Sequence, residues 1–135
     1  MQVGDELTPI TRSIDQTDVD AYAEAAGDFN PIHIDEEFAK TTQFGGTIAH
    51  GMMVAAMLPE LMATEFKRDW ATTGKLKIRF RAPVRPGTTV TTHGQVKRVR
   101  DTETGTEITC TVGVRDQDGE AAITGDATVT ISNDD

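Results

Sequence analysis

Asp28 and His33 stand five residues apart, on either side of Pro31, in the segment Asp28-Phe29-Asn30-Pro31-Ile32-His33. A carboxylate and an imidazole are well suited to moving protons near neutral pH. A bend between them lets their heads converge, where a straight strand or helix at this spacing would splay them apart. On one side of a turn the pair can hold a single water between an oxygen and a ring nitrogen, which is what general acid–base work on water requires. The same residues also have a purely structural use, with Asp28 capping a helix or turn and His33 packed as a hydrogen-bonded core residue.

The flanking elements decide whether the pair is positioned. A helix is predicted from about Thr17 to Ala26, with Thr17 as N-cap, Asp20 three residues on, and Val19, Tyr22, Ala23 and Ala26 forming one apolar stripe. Gly27 is a natural stop, which leaves Asp28 just past a helix end. Pro31 lacks a donor and biases Asn30 toward extended geometry, so residues 28–33 are not expected to be regular helix. Asp35 is placed to cap a short helix through Phe38 and Ala39.

After Gly45-Gly46 comes the most apolar stretch, Met52 to Leu58, continuing through Leu61, Met62 and Phe66. Because it is apolar all round, a helix here is expected to be enclosed by protein, bent or broken near Pro59. Leu76, Ile78 and Phe80 alternate with Lys75, Lys77, Arg79 and Arg81, and Ile108, Cys110, Val112 and Val114 alternate with Thr109, Thr111 and Arg115. Ile123 to Ile131 continues the period, and Thr88 to Val99 gives a weaker version around His93. Thr102 to Gly105 and Asp116 to Gly119 read as hairpin turns. An antiparallel sheet with one apolar face must be covered, and the apolar helix is the available cover. The fold class expected is α+β, a curved antiparallel sheet wrapped around a long central helix, in a single domain over residues 1–135.

Composition sets the outer limits. Hydrophobic residues make up 37% and charged residues 26%, a globular balance. The formal charge of −9 disfavours nucleic acid and anionic membrane surfaces as partners. There is no basic N-terminal segment leading into an apolar one, and the apolar run Met52–Leu58 is too short to cross a bilayer, so a cytoplasmic protein is expected. Cys110 is the sole cysteine, which excludes an internal disulfide and a thiolate cage; its strand face reads as core. Against the acidic whole, Trp70 to Arg100 carries eight bases (Lys75, Lys77, Arg79, Arg81, Arg85, Lys97, Arg98, Arg100) and no acid. Such a stretch can hold a compact anion or be a solvated strand face. The acid excess elsewhere, Asp134 and Asp135 included, fits a high-salt, halophilic habitat.

The run Gly27-Asp28-Phe29-Asn30-Pro31-Ile32-His33-Ile34-Asp35, with Phe38-Ala39, Phe44-Gly45, Ile48-Ala49-His50-Gly51-Met52 and Phe80 to Gly87 in the same order, closely resembles the MaoC-like (R)-specific enoyl-CoA hydratases. The resemblance implies a hot-dog fold and the reversible hydration of a trans-2-enoyl-CoA to the (R)-3-hydroxyacyl-CoA. It also implies Asp28 and His33 as the catalytic pair and the backbone N–H of Gly51 as oxyanion donor. The order in which the pair moves protons is left open. Negative charge reaches the thioester oxygen as water attacks, so a donor there acts mainly on the transition state.

Asn30, His50 and Met52 are further candidates for substrate contact, with His50 also suited to shaping the loop before the helix. No metal and no cofactor are expected, although Asp28, His33, Asp35 and His50 are all ligand types; coenzyme A enters as part of the substrate. Some of Lys75 to Arg100 are then candidates for its phosphates. Pro59 departs from relatives that carry a small polar residue at this point of the helix, which bears on acyl-chain preference. The resemblance further implies a homodimer or higher homo-oligomer, and a place in polyhydroxyalkanoate supply, fatty-acid metabolism or a branched-acid route. A thioesterase of the same fold and a non-catalytic acyl-CoA-binding subunit are the alternatives; release of free thiol separates the first from a hydratase.

Overall fold

The computed structural model describes residues 1–133; Asp134 and Asp135 lie outside the described residues. The alternating segments form strands β2 (Lys75–Phe80), β3 (Thr88–Asp101), β4 (Gly105–Asp116) and β5 (Ala121–Ser132), joined by β1 (Thr11–Ile14), which the sequence reading did not anticipate. They make one five-stranded sheet in the order β1-β3-β4-β5-β2, and every pairing is antiparallel. The hairpin turns fall where the turn residues predicted them, with Gly119 at φ 83.

The face of the sheet that carries Val90, Val96, Ile108, Cys110, Val112, Val114, Ile123 and Val129 is buried. Against it packs the apolar helix, which is two pieces rather than one: α4 (Gly51–Ala55) and α5 (Met57–Phe66). Pro59 is the reason, but the interruption lies before it. Proline cannot donate to the carbonyl four residues back, here Ala55, and its ring crowds that position, so regular helix breaks at Ala56. Leu58, Leu61 and Met62 are fully buried, each stabilising the fold by roughly 1.5–3 kcal/mol.

Nor is the helix enclosed all round as expected. Met52 is 64% exposed, and Glu60, Thr64 and Glu65 face solvent. Glu60 receives a two-point bond from Arg12, which ties β1 to α5 across the surface. A further helix, α6 (Arg68–Thr73), follows Lys67 at φ 51 and leads into β2.

The first long helix is α1 (Gln16–Ala26), one residue longer than predicted. Its N-cap is Asp15, whose N–H donates to the Asp18 carboxylate at 2.9 Å, in place of the expected Thr17. Gly27 ends α1 in the left-handed conformation, φ 71, as its position suggested. Residues 31–34 depart from expectation by forming a helical turn, α2 (Pro31–Ile34). Pro31 occupies its first position, where the missing N–H has no intrahelical use, and Asn30 caps it by accepting from Ile32 N–H at 3.1 Å. Asp35 caps α3 (Glu36–Lys40) by accepting from Phe38 N–H at 3.1 Å, as predicted. His93 is half-buried on β3, where desolvation and the Arg115 charge hold it below its usual pKa.

Candidate active site

Three backbone anchors fix the turn that carries Asp28 and His33. Ile48 grips α2 at two points: its N–H donates to the Ile32 carbonyl at 3.2 Å, and its carbonyl accepts from His33 Nδ1 at 2.8 Å. Gln16 at the start of α1 donates from Nε2 to the His33 carbonyl at 2.8 Å. His50 donates from Nε2 to the Asp28 carbonyl at 3.0 Å. Because a carbonyl can only accept, His33 carries a proton on Nδ1, so in the neutral ring the lone pair that can take a proton is on Nε2.

The Asp28 carboxylate and a ring nitrogen each from His33 and His50 lie within 4.8 Å of one another. A separation of that order is within the span of one bridging water, whose hydrogen bonds run to roughly 2.7–3.0 Å each. Asp28 is exposed, with Oδ1 accepting from Asn30 N–H at 3.3 Å, and His33 is half-buried. The bend therefore brings the pair together, as the spacing predicted.

These groups are also ligand types, but their orientation does not suit an ion. The His33 and His50 rings are stacked, with centroids 3.8 Å apart and planes inclined by 24°. A metal must lie near the plane of each ring, at ~2.0–2.1 Å for zinc on nitrogen. Planes so nearly parallel meet only several ångströms away from both rings.

Beside His33 opens a cavity of about 320 Å³ whose wall is mainly apolar, including Phe44, Ile48, Val54, Phe80 and Ile123. Gly51 is also on this wall, at the first position of α4, where a backbone N–H has no intrahelical acceptor. With only five residues, α4 contributes little macrodipole. Phe80 lies directly over Gly51: a Cβ built there would stand 2.9 Å from the edge of its ring. The strand alternation had assigned Phe80 to the buried face, yet it is 55% exposed at the end of β2, beside the cavity.

Asp28, Asn30, His50 and Met52 do not line this cavity. Asn30 builds the turn, through its cap on α2 and its bond to Asp28. Met52 points outward. His50 is 2% exposed, packed between His33 and Tyr22, the latter with ring centroids 4.7 Å away. Its Nδ1 is buried without a hydrogen-bond partner among the described residues. Among the eight bases, Arg81 lines the cavity and Arg85 a neighbouring one, while Lys97 and Arg100 pair with Asp126 and Glu107. Sequence reasoning missed the double grip of Ile48 and the Phe80 cover, which depend on contacts between distant segments.

The chain as a whole has counterparts among known proteins. The chain is 36% identical over 127 residues to a 3-hydroxybutyryl-CoA dehydratase of Methylorubrum extorquens, covering 91% of this chain and 80% of that protein. It is 33% identical over 126 residues to an (R)-specific enoyl-CoA hydratase of Rhodospirillum rubrum, covering 90% and 83%. An (R)-hydratase structure from A. caviae, described as involved in PHA biosynthesis, superposes with a TM-score of 0.83 at 29% identity over 97% of both chains. That likeness bears out the hot-dog fold. Residues 2–118 match the family model described as MaoC like domain, and the chain belongs to that family.

Proposed function

We propose that this chain is a hydro-lyase that reversibly adds water to trans-2-enoyl-CoA, giving (R)-3-hydroxyacyl-CoA, as one MaoC-like hydratase domain over residues 1–135. The observation that carries this reading is the convergence of the Asp28 carboxylate and a His33 nitrogen within 4.8 Å, with His33 on the wall of an apolar cleft. In the hydration direction, the pair orients one water and takes one of its protons. The oxygen attacks the β-carbon, the double bond's electrons move toward the thioester oxygen, and the Gly51 N–H stabilises the charge that gathers there. A proton returned to the α-carbon completes the addition, so water is consumed whole and the catalyst is regenerated. Neither metal nor cofactor takes part in this scheme. The (R) configuration is supported by the names of the relatives.

A cavity of about 320 Å³ is at the low end for ligand sites and suits a short acyl chain, with the coenzyme outside. Arg81, on the cavity wall, is the base best placed to meet a coenzyme phosphate. Strand β2 pairs with β5 on one side only, and Phe80 and Met52 are exposed beside the site, which supports a homodimer formed on this edge. No helix among the described residues is long and apolar enough to cross a membrane, a statement that leaves β-barrels aside. We assign the protein to a cytoplasm, and to a salt-rich one on the strength of its −9 charge. Full activity and fold in dilute buffer would remove the salt-rich assignment.

The test is loss of enoyl absorbance with short and medium trans-2-enoyl-CoA substrates, with free thiol followed in parallel. Hydration without thiol release is expected. Thiol release without hydration would transfer the chain to the thioesterases, and inactivity toward every chain length would favour a binding subunit.

A further inference from the structure

The scheme above gives His50 no task, although its ring touches both members of the pair. We infer that His50 is a positioning residue, holding the Asp28 backbone through Nε2–H while its ring face supports His33; this rests on the reading of Asp28 and His33 as the acid–base pair. His50 is 2% exposed, its ring covered by Tyr22 and His33, so it does not meet substrate. What it meets is the catalytic turn, at the Asp28 carbonyl 3.0 Å from Nε2 and at the His33 ring with centroids 3.8 Å apart.

Asp28 needs such a restraint. Among the described residues its other hydrogen bonds are local: its N–H donates to Ala23 at the end of α1, and its carboxylate accepts from Asn30. The adjoining Phe29 is 54% exposed and supplies no buried anchor. The bond to His50, from 22 residues along the chain, therefore ties Asp28 to the segment that also presents Gly51.

The choice of histidine points the same way. With Nε2 donating, Nδ1 carries a lone pair that is buried with no partner among the described residues, an arrangement native folds rarely keep without a use. A phenylalanine would fill the same space and stack on both Tyr22 and His33 without leaving that atom unsatisfied. What it would lack is the donor to Asp28, and that donor is the feature the imidazole supplies. If its loss lets the carboxylate move by even part of an ångström, turnover suffers, since a displacement of about 1 Å costs on the order of 100-fold.

Four variants test this: His50→Phe keeps the ring and removes the donor; His50→Gln places an amide nitrogen at the reach of Nε2; His50→Asn falls short of it; Asp28→Asn tests the underlying pair. After circular dichroism and thermal melting, kcat and KM are measured on a trans-2-enoyl-CoA. Expected is a fall in kcat of roughly 10- to 100-fold for His50→Phe with little change in KM, a thermal midpoint near wild type, and substantial recovery of kcat in His50→Gln. Unchanged kcat in folded His50→Phe, a rise in KM instead, or a His50→Gln no faster than His50→Phe would each overturn the inference. Should His50→Phe not fold, the same decision is read from His50→Gln against His50→Asn, with equal rates overturning it. An active Asp28→Asn would remove the acid–base reading itself, whereas a dead Asp28→Asn with a fully active His50→Phe removes only the positioning role.

Discussion

Replacing Gly51 by alanine separates the stability of the site from its chemistry. Gly51 is at the first position of α4 and does not have a positive φ, so alanine fits its backbone, and the unfolded chain loses freedom worth about 0.4–1 kcal/mol in favour of folding. Against this, the new Cβ would stand 2.9, 3.3 and 3.4 Å from three atoms of the Phe80 ring, which must move aside. Phe80 is 55% exposed, so it has room to swing, at a cost of about 0.5–1.5 kcal/mol if it leaves its rotamer. The two effects nearly cancel, and the variant should fold with little change in its melting temperature.

Turnover should not survive as well. The methyl and the displaced Phe80 ring crowd the cavity wall at Gly51, and a thioester oxygen held off that N–H loses a donor whose removal costs about 10²–10³ in kcat. A fall on the order of 100-fold is therefore expected, read as the initial rate of enoyl-CoA absorbance loss by protein shown folded by circular dichroism. Adding Phe80→Ala removes the ring contact but leaves the methyl, so the double variant should remain slow. A folded Gly51→Ala with wild-type kcat/KM, or full rescue by Phe80→Ala, would refute the assignment of this amide to the oxyanion.

Further outcomes follow from other parts of the molecule. Burial raises the Cys110 thiol from 9.0 to about 11, so a thiol reagent should label it only as fast as the protein opens. Since the folded state keeps that proton while the unfolded chain loses it, stability measured by urea titration should fall as pH rises from about 9 to about 11. Glu60→Gln should lower stability by at most about 1 kcal/mol, and by less in high salt, because the Arg12–Glu60 pair is nearly half exposed on both sides. Gly125→Ala should lower the melting temperature and loosen β2 in hydrogen exchange, because its Cβ would run into the backbone oxygen of Lys77 on the neighbouring strand.

The features legible in the sequence were those set by local chemistry. Gly27 ended a helix because its left-handed conformation favours glycine, Asp35 capped α3, and two-residue alternation placed β3, β4 and β5 with Cys110 inward. The misses came from contacts that spacing does not encode. Pro31 looked like a helix breaker, yet the first position of α2 makes no use of the N–H that proline lacks. Pro59 marked a bend correctly in kind, but its effect falls at the carbonyl four residues earlier. Phe80 obeyed the apolar period of its strand and still lies open at the cavity, because Gly51 on another element leaves room for its ring. The convergence of Asp28 and His33 was legible from the turn between them, whereas the grip of Ile48 and the stack of His50 depend on contacts between distant segments.

The most direct test is the rate of water addition to a trans-2-enoyl-CoA by wild type, Asp28→Asn and His33→Gln, all confirmed folded. Each substitution keeps side-chain size and removes one proton-accepting group, so wild type should convert the substrate while both variants lose at least 10²-fold in kcat. Full rates in both folded variants would contradict the claim that a carboxylate and an imidazole joined through a bent segment activate the water.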